Sequence, residues 1–252
     1  MSKHYYIYPT LLDKFQALLD YDQIAEEPWN QEKPIRQVYD ELDKELIDAI
    51  NRVPHEVSPA ADRGSCLNEI LDRMLGGIPR DQWRKDIEIV SEANTFVAVL
   101  NGNAYTFPAD FVVGLGNQLR WSLCQRYMEC ALEMGAATVH LYGYCDYWQG
   151  DKIIDLKTTS QRGDFGKYAN YWQRYVYPFI ATVNGNEVNS MEFLIVELGK
   201  VGSATEPTIS RECYDYNHSD ATYKIYSILG RFTNWLRVNE DRITDTKIIQ
   251  EF

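Results

Sequence analysis

Hydrophobic and polar positions in the first third of the chain repeat at helical spacing. Residues 9–22 predict an amphipathic helix that opens at Thr10, and residues 35–53 predict a second helix whose apolar positions recur every three or four residues. A third helix is predicted to start at Ser58 and to stop at the pair Gly76-Gly77, because serine caps helix N-termini and glycine ends helices. The N-terminal part is therefore expected to be helical.

The middle of the chain changes to strand-like patterns. Residues 86–100 predict one or two strands, and the following Asn101-Gly102-Asn103 predicts a turn. Residues 108–134 predict one long helix. Residues 139–148 and 152–157 predict the two strands of a hairpin.

The last third mixes both patterns. Residues 168–183 predict a helix, and residues 190–198 and 209–216 predict strands. Residues 220–239 predict a final helix with an apolar stripe that is expected to pack in the core, made of Tyr223, Tyr226, Leu229, Phe232 and Leu236. The order of elements predicts a mixed α/β protein.

Composition narrows the class of protein. The 252 residues are 45% hydrophobic, enough for one sizeable domain, and no apolar run approaches the roughly 18 residues of a membrane span. The N-terminus lacks the apolar core of a signal peptide, so a soluble, cytoplasmic protein is expected, with no membrane partner. The five cysteines contain no Cys-x-x-Cys pair, which disfavours a zinc ribbon or a disulfide framework.

The net charge bears on nucleic-acid binding. With 25 basic and 37 acidic residues the chain carries −12, whereas proteins that coat nucleic acid usually present a basic surface. An enzyme can confine its positive charge to one groove, so the charge excludes a DNA-coating protein more strongly than it excludes an enzyme.

The predicted hairpin carries the most informative side chains. Asp155 and Lys157 are two residues apart on one strand and therefore point to the same face. The turn before them can bring Asp146 of the preceding strand alongside. Two carboxylates and an ammonium in one place can hold a divalent cation and activate a water molecule.

These residues also carry a family resemblance. The hairpin reads Gly-x-x-Asp ending at Asp146 and then Ile-Ile-Asp-x-Lys-Thr ending at Thr158, which resembles the core signature of the PD-(D/E)XK nuclease superfamily in its RecB-like and phage-exonuclease branch. That branch often carries Gln-x-x-x-Tyr on the next helix. Gln173 and Tyr177 match it, and their spacing of four places both on one helical face.

The helix upstream departs from the family pattern. Relatives usually have Gly-x-x-x-His there, whereas this chain has Asn68 four residues after Gly64, followed by Glu69. An asparagine amide is a weaker ligand than histidine and suits hard cations such as Mg²⁺. Either Asn68 supplies a weak ligand or Glu69 supplies the acid, and we favour Glu69.

The resemblance implies a fold and a division of the chain. The fold would be a restriction-endonuclease-like α/β core, a mixed central β-sheet flanked by helices, within one nuclease-like domain spanning residues 1–252. Residues 1–57 would form a helical N-terminal extension, residues 58–200 the catalytic core, and residues 201–252 a C-terminal strand and helix.

The resemblance also implies roles for single residues. Asp146, Asp155 and Lys157 would be catalytic. Mg²⁺ or Mn²⁺ would be the cofactor, and its ligands would be Asp146, Asp155, the carbonyl of Leu156 and Glu69. The residues implied to contact DNA are Gln173, Tyr177, Thr158, Asn68 and Arg174.

The implied activity is hydrolysis of phosphodiester bonds in linear DNA, or in DNA with free ends, by an exonuclease of phage or mobile-element recombination and repair. A single-strand annealing protein would be its partner, and homo-oligomers occur in this branch. Two alternatives stay open. One is a catalytically weakened nuclease-fold subunit that binds DNA or regulates, favoured by the charge and the missing histidine; the other is a structure-specific endonuclease. The aromatic and basic stretch 165–177 suits either base stacking or core packing.

Overall fold

A computed structural model describes residues 3–161, 166–203 and 205–251 of the chain. The described strands are β1 (Lys3–Ile7), β2 (Glu88–Ser91), β3 (Thr95–Leu100), β4 (Asn103–Pro108), β5 (Leu123–Met134), β6 (Ala137–Gln149), β7 (Lys152–Thr159), β8 (Ser190–Glu197), β9 (Thr208–Asp215) and β10 (Ile249–Glu251). The described α-helices are α1 (Pro9–Leu19), α2 (Tyr21–Ala25), α3 (Ile35–Ile50), α4 (Pro59–Leu75), α5 (Ala109–Leu119), α6 (Gln173–Val183) and α7 (His218–Val238).

A mixed seven-stranded sheet forms the centre of the molecule. Its strand order is β10-β1-β6-β7-β8-β9, with β5 paired to the other edge of β6. The pairs β1–β6 and β7–β8 are parallel, and the remaining pairs are antiparallel. Strands β2, β3 and β4 form a separate antiparallel sheet. The predicted α/β class, a mixed central sheet flanked by helices, is confirmed and is compatible with a restriction-endonuclease-like core.

The central sheet is covered on both faces, so neighbouring residues of its inner strands enter different cores. Ile153 packs with residues of α1, α3, α6 and α7, whereas Ile154 packs with α4, α5 and the small sheet. Phe193 and Leu194 on β8 divide in the same way. By the same alternation, Asp155 and Lys157 belong to the α6 face and Leu156 to the α4 face.

Helix α4 forms where the sequence predicts it. Ser58 caps its N-terminus by accepting a hydrogen bond from the amide of Ala61, and Pro59 occupies its first turn. Gly76 ends it in the left-handed conformation, with φ of 66°. The helix lies directly against β7, because a β-carbon on Gly64 would be 2.2 Å from Oγ1 of Thr158.

The prediction of one long helix over 108–134 is wrong. Helix α5 ends at Leu119, and β5 pairs with β6 over almost its whole length. Buried side chains at Met128, Cys130 and Leu132 show the period of two that belongs to a strand. Pairing with β6 outweighs the local helical preference of this segment.

The ends of the chain also differ from expectation. Strand β1 lies in the segment predicted as a helical extension, where it pairs in parallel with β6, and β10 pairs with β1. Strand β4, which follows the predicted turn at Asn101-Gly102-Asn103, was not predicted either. Short strands such as β1 and β10 depend on partners far away in sequence, which a local pattern does not reveal.

The stripe predicted for the last helix is also partly wrong. Leu229, Phe232 and Leu236 are buried, but Tyr223 is 75% exposed and Tyr226 is 41% exposed. The buried side of α7 is completed instead by Ala221, Ile225 and Ile228. Across the described ranges, no helix combines the length and apolar character needed to cross a membrane.

Candidate active site

The candidate site lies where β6 and β7 separate. The two strands pair only next to their turn, from Gln149 opposite Lys152 to Tyr147 opposite Ile154. Beyond that point the Asp146 side chain replaces the backbone of β6 as the hydrogen-bond partner of β7, since its Oδ2 accepts a 2.8 Å hydrogen bond from the backbone amide of Leu156. The predicted hairpin is confirmed, and Asp146 is fixed at the fork between its strands.

Asp155 and Lys157 form a closed group with Gln173 of α6. Lys157 Nζ lies 2.7 Å from Asp155 Oδ2 and donates a 2.6 Å hydrogen bond to Oε1 of Gln173. The Nε2 of Gln173 donates a 2.8 Å bond to Asp155 Oδ1. One glutamine amide therefore bridges the carboxylate and the ammonium, and Asp155 is almost fully buried, 3% exposed.

Tyr177 joins this group one helical turn further along α6. Its hydroxyl lies 3.5 Å from Nε2 of Gln173, and its ring packs on the backbone of β6 at Gly143. A β-carbon at Gly143 would be 2.7 Å from Cε1 of the Tyr177 ring, so only glycine leaves room for it there. The structure thus brings Asp155, Lys157, Gln173 and Tyr177 together, as the sequence predicts.

Asn68 and Glu69 of α4 point to different surroundings. The Oδ1 atom of Asn68 is buried and has no hydrogen-bond donor among the described residues, and Asn68 lines a groove with Lys157 and Thr158. The Oε1 atom of Glu69 instead accepts bonds from Arg73 Nε at 2.7 Å and from the Arg84 amide at 3.1 Å. Between the two alternatives for the helical ligand, the geometry favours Asn68 and disagrees with the choice of Glu69.

Of the remaining predicted residues, two lie beside the site and one does not. Thr158 and Leu156 line the groove beside Asn68. Arg174 does not, because its guanidinium donates to the carbonyl of Ala169 and stacks 4.2 Å from the ring of Tyr214. The structure therefore places the Arg174 guanidinium against Tyr214 of β9.

A further acid on α4, Asp72, was not predicted. It is 5% exposed and accepts a 3.4 Å hydrogen bond from the hydroxyl of Tyr147, the residue after Asp146. Burial, followed by the charge of Glu69, raises its pKa to about 7. Its position could have been found from the sequence, since Gly64, Asn68 and Asp72 recur every four residues on one helical face.

A second unpredicted acid, Asp13, comes from α1. Its Oδ1 accepts a 2.8 Å bond from the backbone amide of Trp172, directly before Gln173. Burial raises its pKa to about 6, the Trp172 bond and the nearby Lys157 charge lower it, and Asp155 raises it further. Only the tertiary fold brings α1 to this point, so no local signal marks Asp13.

Gln125 supports the site from β5. Its backbone is in the left-handed region, with φ of 46°, which is uncommon for a residue with a side chain. Its Nε2 donates a 3.4 Å hydrogen bond to Asp146 Oδ1, and its side chain is near enough to Asp72 to lower the pKa of that carboxyl. The strained residue therefore links two of the acids, a setting in which backbone strain is often found.

Among the described residues, the site contains more acid than Lys157 neutralises. Burial raises the pKa of Asp146, and the charge of Asp155 raises it further. Burial raises the pKa of Asp155 as well, although Lys157 and Gln173 oppose the rise. Removal from water and mutual repulsion both disfavour the ionised carboxylates, and a bound cation would offset both.

The donor atoms suit a hard cation. The buried Oδ1 of Asn68 has no hydrogen-bond donor in the described parts of the chain, whereas Asp155 Oδ2 is paired with the Lys157 ammonium 2.7 Å away. Carboxylate and amide oxygens are typical ligands of Mg²⁺. No three His, Cys, Asp or Glu residues within 3–161, 166–203 and 205–251 lie close enough to hold a metal. The described residues offer the carboxylates of Asp146 and Asp155 and the amide oxygen of Asn68, a donor set of the kind that suits a hard cation.

Comparison with known proteins adds little to this geometry. No family model and no curated protein matches the chain. A solved structure described as the crystal structure of SSO0001 is similar over 89% of this chain and 75% of that chain, with 12% identity and a TM-score of 0.41. The functional assignment consequently rests on the site itself.

Proposed function

We propose that the protein is a metal-dependent deoxyribonuclease that hydrolyses phosphodiester bonds, and that it acts as an exonuclease on DNA with free ends. The observation that carries this proposal is the convergence of Asp146, Asp155 and Lys157 at the fork between β6 and β7. Buried acids in excess of their basic partner are a common feature of sites that bind a cation and a phosphate.

Each residue has a defined task in the proposal. Asp146, Asp155 and the free amide oxygen of Asn68 would hold Mg²⁺ or Mn²⁺. The bound cation would lower the pKa of a water molecule and stabilise negative charge on the phosphate. Lys157 would contact the phosphate and orient the attacking water, and Gln173 would keep its ammonium in place through the 2.6 Å hydrogen bond.

The groove beside the site suits a phosphodiester backbone. It runs between the start of α4 and the end of β7, and Arg63, Lys157 and Thr158 all line it. The first turn of a helix carries partial positive charge, which favours phosphate. The chain as a whole carries a net charge of −12, which repels DNA, so binding of a phosphodiester backbone requires local positive charge of this kind.

A second candidate, a nuclease-fold subunit without catalysis, is favoured by one observation. Lys157, Asp155 and Gln173 satisfy one another in a closed group, so part of the site is already neutralised without any cation. Such a protein would bind DNA or a partner enzyme and would not hydrolyse it.

Two measurements separate the candidates. End-labelled linear DNA and closed circular DNA are incubated with Mg²⁺, Mn²⁺ or EDTA, and an exonuclease degrades only the linear form and only with metal. Asp155→Asn and Lys157→Ala should abolish the reaction. Asp151→Asn on the same hairpin and the exposed Lys44→Ala should retain it, since their contacts lie outside the site.

Calorimetric titration with Mn²⁺ then tests the ligands. The wild type should bind the ion, and Asp146→Asn and Asp155→Asn should each lose binding. Absence of both binding and hydrolysis in the wild type would transfer the assignment to the second candidate.

A further inference from the structure

The first turn of α6 has little local stabilisation, although it carries Gln173. The N-cap position belongs to Trp172, whose indole is a donor only, whereas a good N-cap side chain supplies an oxygen to the amides of the helix. Arg174 places a positive charge in a turn that favours negative charge. Pro178 has no N–H and cannot bond to the Arg174 carbonyl one turn earlier. The start of α6 therefore depends on contacts with other elements.

Asp13 of α1 provides such a contact. Its Oδ1 accepts a 2.8 Å hydrogen bond from the backbone amide of Trp172. The acidic side chain also lies at the end of α6 where the helix carries partial positive charge. Helix α1 holds Asp13 in place, because the neighbouring Leu11, Leu12 and Phe15 are buried in the core. Asp13 thus anchors the start of α6 from a different helix.

The anchored amide lies between two residues that contact Lys157. The ring of Tyr171, directly before the amide in sequence, has its centre 5.8 Å from Lys157 Nζ. Gln173, directly after Trp172, accepts the 2.6 Å bond from the same Nζ and donates the 2.8 Å bond to Asp155. A shift of the chain at Trp172 would therefore displace both contacts of Lys157 together.

Asp13 also lies within electrostatic reach of Lys157. Burial raises the pKa of Asp13 to about 6, whereas the Trp172 hydrogen bond and the Lys157 charge lower it. The lysine needs support from its surroundings, because its ammonium ends a flexible four-carbon chain. A displacement of α6 relative to α1 would consequently reach Lys157.

We propose that Asp13 is a positioning residue for the candidate active site. By fixing the Trp172 amide, Asp13 holds the start of α6 against β7, so that the Lys157 ammonium stays beside its carboxylate partner. The effect on catalysis rests on the proposed function, whereas the placement of Gln173 does not depend on hydrolysis.

Hydrolysis of linear DNA measures the effect on catalysis. Asp13→Ala removes the acceptor and should lower kcat about 10- to 100-fold, since misplacement by about 1 Å can have an effect of that size. KM should stay within about threefold, because the change disturbs the reacting groups more than the binding of DNA. Asp13→Asn keeps an acceptor oxygen and should retain kcat within about threefold. The exposed Asp22, which binds the amide of Gln23, is the control, and Asp22→Ala should change neither value.

A double-mutant cycle tests whether Asp13 acts through the start of α6. In a Gln173→Ala background, Asp13→Ala should lower kcat by a smaller factor than it does in the wild type. Two factors that simply multiply would show that Asp13 does not act through Gln173, and they would overturn the proposal.

A nuclear magnetic resonance spectrum in EDTA tests the placement of Gln173 without hydrolysis. Labelling with ¹⁵N shows the side-chain amide of Gln173, and Gln173→Ala identifies this resonance by its absence. Asp13→Ala should move the resonance toward the shifts of solvent-exposed glutamine amides, whereas Asp13→Asn and Asp22→Ala should leave it in place. If Asp13→Ala fails to fold, Asp13→Leu, which fills the space without an acceptor, should give the same shift.

The positioning role and the proposed function fail separately. A Gln173 resonance that stays in place without the Asp13 acceptor overturns the positioning role. If the resonance moves but the wild type hydrolyses no DNA, the positioning role stands and the deoxyribonuclease is wrong. If the wild type degrades DNA and Asp13→Ala degrades it equally fast, the deoxyribonuclease stands and the positioning role is wrong.

Discussion

Gly64→Ala tests how closely α4 must approach β7 for the site to form. The added β-carbon would lie 2.2 Å from Thr158 Oγ1, which is 1.2 Å short of an ordinary 3.4 Å contact. Either α4 must retreat by about that distance or Thr158 must turn away. Overpacking of this kind costs about 1–3 kcal/mol. Alanine in a helix regains about 0.5–1 kcal/mol over glycine, so the net loss of stability should be about 0–2.5 kcal/mol.

A double-mutant cycle isolates the clash from the helix propensity. Thr158→Ala removes Oγ1 and leaves its β-carbon 3.3 Å from the new methyl group, a nearly normal distance. The double variant should therefore recover stability, with a coupling of about 1–3 kcal/mol in urea denaturation followed by circular dichroism. Gly114→Ala is the matched control, since a β-carbon there meets nothing within 4 Å, and it should be neutral or stabilising.

Gly64→Ala should also reduce the rate of hydrolysis, and by more than its effect on the free energy of unfolding alone would suggest. A displacement of about 1 Å moves Asn68, and misplacement on that scale can reduce a rate about 100-fold. The reasoning is refuted if Gly64→Ala behaves like Gly114→Ala, or if the effects of Gly64→Ala and Thr158→Ala simply add.

Three further predictions concern buried contacts. Gly143→Ala should push the Tyr177 ring, 2.7 Å from the new β-carbon, and lower hydrolysis at least tenfold with a loss of about 1–3 kcal/mol in urea unfolding; unchanged kinetics would contradict this contact. Because the pKa of Asp72 is raised to about 7, the folded state binds more protons than the unfolded state between pH 4 and 7, and stability falls as pH rises through that window. Asp72→Asn should therefore remove up to about 3 kcal/mol of the difference in stability between pH 5 and pH 8 in EDTA, and an unchanged pH profile would exclude the effect. Glu192 is 2% exposed and pairs with both Lys152 and Arg211. Glu192→Gln should therefore lower the stability of the protein by about 2–4 kcal/mol in thermal unfolding. A neutral result would show that water solvates the two cations when the carboxylate is absent.

Local signals account for the parts of the fold that the sequence predicts. Ser58 and Gly76 mark the ends of α4, and the turn at Gly150 marks the hairpin that carries Asp155 and Lys157. The Gln173 and Tyr177 pair meets the site because a spacing of four keeps both on one face of α6. For these elements the spacing of residues alone decides what faces what.

The missed parts depend on partners distant in sequence. Strand β5 carries glycine-free residues that suit a helix, and only its pairing with β6 makes it a strand. Asp13 reaches the site because α1 packs beside α6, and Glu69 is removed from it because Arg73 and the Arg84 amide bind its carboxylate. The sequence alone therefore does not show that Glu69 points away from the site, because this depends on where the loop that carries Arg84 folds.

The hydrogen bond from the Leu156 amide to Asp146 ties the register of two strands to the chemistry of the site. A slip of β7 by one residue would present a different amide to Asp146 and would turn Asp155 from the core beneath α6 to the core beneath α4. Misaligned β7 would then bury an unpaired carboxylate among apolar side chains, at a high free-energy cost. The aspartates that would bind the cation therefore also raise the free energy of chains whose strands are misaligned, and so favour the correct register.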